Sequence, residues 1–176
     1  MIMKTSLFIT LTCTLLGAAK AQNKVVVLTF DDGCISHYTY VAPLLKKYGF
    51  NATFYVCEFP GWPDSTKYMS WAQIKQLSKW GFEIGNHTWH HQNLDGVNGE
   101  KIKQEVCYIE SKCDSLHIPK PTTLAYPAYH TSDTALKVLR DMGYQTARAG
   151  GDRAYDPKKD KPLLIQIGRA SCRERV

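Results

Sequence analysis

The chain has 176 residues, of which 44% are hydrophobic and 22% charged, enough for one domain with its own core. Its formal charge of +6 comes from 22 basic and 16 acidic residues. Setting aside Lys4, Lys20, Arg169, Arg173, Arg175 and Glu174 in the two terminal segments leaves 17 basic and 15 acidic residues, about +2, so basicity gives no reason to expect a nucleic-acid partner.

Taken in order, the chain opens on a basic start with Lys4, an apolar run from Leu7 to Gly17, and Ala19-Lys20-Ala21. This pattern predicts a secretory signal peptide over residues 1–21, cleaved near Ala21, and an exported protein. The run is too short to span a bilayer. Val25 to Gly33, VVVLTFDDG, then reads as a buried parallel strand whose C-terminal end opens into two carboxylates and a glycine. Ser36 to Tyr48 has helical spacing closed by Gly49, and Asn51 to Val56 is a second strand. Glu58 to Lys67, with Pro60, Gly61, Trp62 and Pro63, is a loop. Ser70 to Trp80 is an amphipathic helix with Ser70 as N-cap, and Phe82 to Gly85 a third strand. Gly99 to Leu116 is the longest helix, its stripe made of Ile102, Val106, Ile109 and Cys113. Thr123 to Tyr126, Ser132 to Met142 and Gln145 to Arg148 complete the alternation as strand, helix and strand, followed by a strand-like run at Leu163 to Ile165. Strand alternating with helix five times predicts an α/β fold with a parallel sheet, open or closed into a barrel, and a site at the C-terminal strand ends.

The last ten residues, Ile167 to Val176, show no apolar periodicity and match the translation of a short-read sequencing adapter. The expectation is a native domain over 22–166, C-terminally truncated, followed by a non-native tail at 167–176. Outside the leader and this tail four cysteines remain, Cys34, Cys57, Cys107 and Cys113. In an exported chain they permit three disulfide pairings that sequence does not choose among. There is no C-x-x-C pair, which argues against a zinc ribbon.

Strand one delivers Asp31 and Asp32 to the rim. Two adjacent carboxylates do not both stay ionised without a cation or strong donors; alone, the pair also fits an ordinary Asp-Gly turn. Strand three runs into Asn86-His87-Thr88-Trp89-His90-His91. One aspartate and an H-x-x-x-H pair at one rim suggest a metal site with open positions, as catalytic zinc sites have. His87 and His91 turn toward one point while His90 faces elsewhere.

Thr29-Phe30-Asp31-Asp32-Gly33 together with His87-Thr88-x-x-His91 resembles the polysaccharide deacetylases, a carbohydrate esterase family acting on chitin, chitooligosaccharides, peptidoglycan and acetylxylan. The resemblance covers Lys24 to Ile165 and implies a distorted (β/α) barrel. It implies a divalent cation, zinc first with cobalt or nickel as substitutes, held by Asp32, His87 and His91. It further implies Asp31 as general base toward metal-bound water, and removal of acetyl groups from an N-acetylated polysaccharide or oligosaccharide. The family's R-x-P-Y motif is only partly kept in Leu124-Ala125-Tyr126-Pro127-Ala128. Ala128 keeps a backbone N–H for the oxyanion, while Ala125 replaces the arginine that orients the base, a part Arg148 is placed to take from strand five. Trp89, Tyr126 and Pro127 are candidate substrate contacts. The family's L-x-H motif, which supplies the general acid, is absent from the sequence; His130 is a candidate replacement, but its place after a surface Pro-Ala-Tyr favours an ordinary loop histidine. The rival readings are an O-acetyl xylan esterase or another amide hydrolase with the same site, and a metal- or glycan-binding homologue without turnover.

Overall fold

The computed structural model describes residues 25–62, 64–151 and 153–167; the leader-like segment 1–21 and residues 168–176 of the tail lie outside them. Five short strands form one sheet: β1 (Thr29–Phe30), β2 (Thr53–Val56), β3 (Glu83–Asn86), β4 (Thr123–Ala125) and β5 (Thr146–Arg148). Every neighbouring pair is parallel and the spatial order is the chain order, β1-β2-β3-β4-β5. The sheet curls into a half-barrel, in keeping with the distorted (β/α) barrel expected from the sequence.

The connecting helices begin and end where local chemistry dictates. Helix α1 (Ala42–Tyr48) is entered through one π turn at His37–Val41 and stops at Gly49, whose φ of 70° a Cβ would disfavour. Helix α2 (Trp71–Lys79) starts with a reciprocal capping box, the Ser70 side chain accepting from the Gln73 N–H while the Gln73 side chain accepts from the Ser70 N–H. Asn98 and Ser132 cap α3 (Gly99–Ser115) and α4 (Asp133–Asp141) in the simpler way, each accepting one backbone N–H.

Alternation along the strands sorts the side chains onto two faces. Phe30, Phe54, Ile84, Leu124 and Ala147 pack toward the helices, in two apolar clusters that run from α1–α2 to α3–α4. Thr53, Tyr55, Glu83, Thr123, Thr146 and Arg148 line a concave cavity of about 590 Å³ on the other face. There Glu83 accepts from the Thr53 and Thr123 hydroxyls, the latter at 2.9 Å.

Two expectations need correction. Val25, Val26 and Val27 do not form a buried strand: they are 75–81% exposed and only Thr29–Phe30 pairs. β1 is the edge of the sheet, so these valines have a neighbour on one side at most and line open grooves instead. The run Leu163 to Ile165 is not a strand either. Pro162 opens a 3-10 turn over Pro162–Leu164, and only Ile165 bridges in parallel to Arg148. The four cysteines among the described residues, Cys34, Cys57, Cys107 and Cys113, are free thiols. No helix among the described residues is long and apolar enough to cross a membrane.

Candidate active site

The reactive groups gather at the C-terminal ends of the strands. Asp31 and Asp32 follow β1 directly, in a tight turn with φ of 75° at Asp32 and 62° at Gly33. Arg148, the last residue of β5, reaches back over the concave face, and its Nη2 donates to both carboxylate oxygens of Asp31. The guanidinium is buried and sits 5.4 Å from the Tyr55 ring centre and 6.0 Å from that of Tyr129. Curling of the sheet is what lets the fifth strand's cation meet the first strand's anion. Arg148 thus gives Asp31 a cationic partner from strand β5.

Asp32 points the other way. Its Oδ1 lies 3.4 Å from His87 Nε2 and 3.6 Å from His91 Nε2. One ligand atom from each of the three residues lies within 4.8 Å of the others. Asp32 Oδ1 is buried with no hydrogen-bond partner, a costly arrangement unless something positive sits against it. Ligand atoms each about 2.1 Å from one tetrahedral ion are themselves about 3.4 Å apart, close to both Asp32–His distances, and one carboxylate with two imidazoles is a donor set that suits a divalent cation. Burial, together with the neighbouring His87, lowers the pKa of His91, which favours the neutral imidazole that a metal requires.

The loop that presents both histidines is not a helix. Thr88 and His91 are left-handed, with φ of 62° and 55°, so side-chain bonds must fix it. His87 Nδ1 lies 2.7 Å from the Ala125 carbonyl, which assigns the proton to Nδ1 and leaves Nε2 free to ligate. Buried Asn86 accepts the Thr88 N–H at 2.8 Å and donates to the Val106 carbonyl and the Tyr144 hydroxyl. The Thr88 hydroxyl accepts the Gln92 N–H at 2.8 Å. His90 faces away, bonded through its N–H and Nδ1 to buried Glu105. Burial opposes ionisation of Glu105, but His90 and Lys101 outweigh it and the carboxyl stays below its usual range.

The structure therefore brings Asp31, Asp32, His87 and His91 together. Ala128 is exposed on the turn Pro127–Tyr129, with φ of 51°, and His130 is exposed just beyond it. Tyr126 and Pro127 are corrected from substrate contacts to core residues. Tyr126 is 1% exposed and spends its hydroxyl on the Leu163 carbonyl at 3.1 Å, and Pro127 is buried. Trp89 is half-buried, one ring face stacked on Tyr108 at 3.9 Å and its N–H given to Glu58. Sequence reading missed Glu58, Glu105 and Asn86. For Glu105 a signal existed: it adjoins the apolar stripe of α3, where a buried acid must have partners.

A family model described as polysaccharide deacetylase matches residues 18–147. The chain is 32% identical over 126 residues to a peptidoglycan-N-acetylglucosamine deacetylase of Bacillus cereus, covering 71% of this chain and 56% of the relative. It is 29% identical over 139 residues to a chitin deacetylase of Pestalotiopsis sp, covering 79% and 45%. The solved structure of the Streptococcus pyogenes deacetylase PplD in complex with acetate superposes with a TM-score of 0.76 at 25% identity, over 84% of this chain and 65% of that one. The chain spans about half the length of the curated relatives it matches.

Proposed function

Because the chain belongs to the polysaccharide deacetylase family, we propose that it is a metal-dependent hydrolase that removes acetyl groups from an N-acetylated glycan of the chitin or peptidoglycan type. The observation that carries this reading is the convergence of the orphaned Asp32 Oδ1 with His87 and His91 beside an Asp31 held by Arg148. Asp32, His87 and His91 are the ligands, and zinc suits one carboxylate and two imidazoles. When bound, the cation supplies Lewis-acid chemistry, polarising an acyl oxygen and making water acidic enough to lose a proton near neutral pH. Asp31 is the base that takes this proton, oriented by Arg148. The backbone N–H of Ala128, on an exposed turn, donates to the oxygen on which negative charge develops. The leader-like segment Met1–Ala21 supports action outside the cytoplasm.

The test is acetate release from chitooligosaccharides, peptidoglycan fragments and acetylxylan by the zinc-loaded chain, with Asp31→Asn as control. Release from an N-acetylated glycan, abolished in the variant, supports the reading. Release from acetylxylan alone reassigns the enzyme to O-esters. Zinc and glycan binding with no release of acetate from any of the three substrates makes the protein a binding homologue.

A further inference from the structure

Glu58 lies two residues beyond β2, at the same rim as the site. Its carboxylate accepts three hydrogen bonds, all from aromatic side chains: Trp71 Nε1 on Oε1 at 2.6 Å, and Trp89 Nε1 and the Tyr108 hydroxyl on Oε2 at 3.0 and 2.8 Å. Its backbone N–H donates to the Trp89 carbonyl at 2.6 Å. Four elements meet at this one side chain: the end of β2, the start of α2, the histidine loop and the middle of α3. Trp89 is further held against Tyr108, ring centres 3.9 Å apart at 9°, and against His90 at 3.9 Å.

Two ligands spaced H-x-x-x-H on a helix are aligned by the backbone ladder. Here the loop is irregular and left-handed at Thr88 and His91, so alignment falls to the residues between the ligands. Thr88 is bound through Asn86 and Gln92, His90 through Glu105, and Trp89 through Glu58. We infer that Glu58 is a positioning residue for the metal-binding loop: by gripping both the carbonyl and the indole of Trp89, it fixes where His91 presents its imidazole. This rests on the metal-site reading above and goes beyond it.

The chemistry of the grip makes it testable. Indole N–H groups only donate, and one stands on each carboxylate oxygen, so the site needs a group that accepts at both ends. A glutamine at 58 must set its NH₂ against one indole, whichever way the amide turns. Tyr108 escapes this by rotating its hydroxyl, but Trp71 and Trp89 do not. Removing the Trp71 donor relieves the conflict and leaves the amide oxygen for Trp89. Removing the Trp89 donor relieves it equally but leaves the loop ungripped.

The experiment measures zinc affinity by chelator competition, with the visible spectrum of the cobalt form, in the full chain and in Glu58→Gln, Glu58→Gln/Trp71→Phe and Glu58→Gln/Trp89→Phe. A group bonded directly to a ligand is worth about 10–100-fold in metal affinity, and Glu58 acts one step further out through Trp89, so its loss is expected to cost about 10-fold, the lower end of that range. That loss is expected in the Trp89→Phe pair; in Glu58→Gln, whose amide oxygen can still turn to Trp89 and Tyr108 at the expense of Trp71, the loss is smaller. Recovery of affinity and of the cobalt spectrum is expected in the Trp71→Phe pair. Equal affinity in both pairs overturns the inference. Hydrogen exchange of the Trp89 indole N–H reports the grip without any metal: slow in the parent and in the Trp71→Phe pair. A parent chain that binds no zinc therefore defeats the metal-site reading separately, while fast indole exchange in the parent defeats the grip.

Discussion

Removing the anion from the Asp31–Arg148 pair should cost more stability than removing the cation. The asymmetry follows from exposure: the Arg148 side chain is 6% exposed and that of Asp31 29%. Arg148 also carries a buried Nε with no partner, and a guanidinium does not discharge by losing a proton. Asp31→Ala leaves that cation buried and unpaired, at about 3 kcal/mol, the lower end for breaking a buried pair. In Arg148→Met the methionine fills most of the volume and the surviving carboxylate can hydrate, so the loss is about 1 kcal/mol, the upper range for a solvent-accessible pair. The double variant carries no orphan and should be more stable than Asp31→Ala alone. Denaturant unfolding of the metal-free chain, with the double-mutant cycle completed, reads all three. For a domain of this size Asp31→Ala should lower Tm by about 6–12 °C. Equal single-variant losses, or a double variant less stable than Asp31→Ala, would refute the argument.

Zinc at 100 times its Kd should raise unfolding stability by about 2.7 kcal/mol, and His87→Ala should abolish the rise; an equal rise in the variant removes His87 from the ligand set. Gly85→Ala should cost about 1–3 kcal/mol, because a Cβ there overlaps the Tyr55 ring beneath Arg148; a variant that unfolds with the parent contradicts the packing. His37 is buried between Phe30 and Phe54 with no partner on Nδ1. Burial lowers its pKa from 6.5, against the pull of Asp32 and Asp31. The unfolded chain therefore takes up protons first as pH falls: the stability His37 contributes is complete above 6.5 and lost as pH drops through the folded value. His37→Phe should flatten the stability–pH curve between pH 7 and 5, and an unchanged slope would exclude His37 as its source. Ser70→Ala removes the capping box of α2 and should cost about 1 kcal/mol; a loss confined to a few tenths would mean solvent replaces the cap.

The alternation of strand and helix was legible because each helix announces its ends, with Ser70 and Ser132 as caps and Gly49 as a stop. Asp31, Asp32, His87 and His91 were legible because strand ends are where a parallel sheet concentrates chemistry, and two short motifs marked them. Val25–Val27 misled because a β-branched run reads alike at an edge and in a centre; what differs is the neighbour, which no local pattern encodes. Tyr126 misled for a related reason. Its place next to a motif says nothing of direction, and the hydroxyl turns inward to Leu163. Glu58 was invisible because its three partners come from residues 71, 89 and 108, and only folding assembles them.

Strand order that follows chain order bears on how the protein is made. Each new strand pairs with the one synthesised just before it, so no strand must wait for a later one to fill a gap beside it. The loops closed at each step are those of single strand–helix–strand units, which keeps the entropy of closure small. A chain emerging from the ribosome can therefore extend its sheet one unit at a time. The bond from Arg148 back to Asp31 is the exception. It spans 117 positions in sequence and forms only after all five strands are in place, so Asp31 acquires its partner only once the fifth strand has joined the sheet.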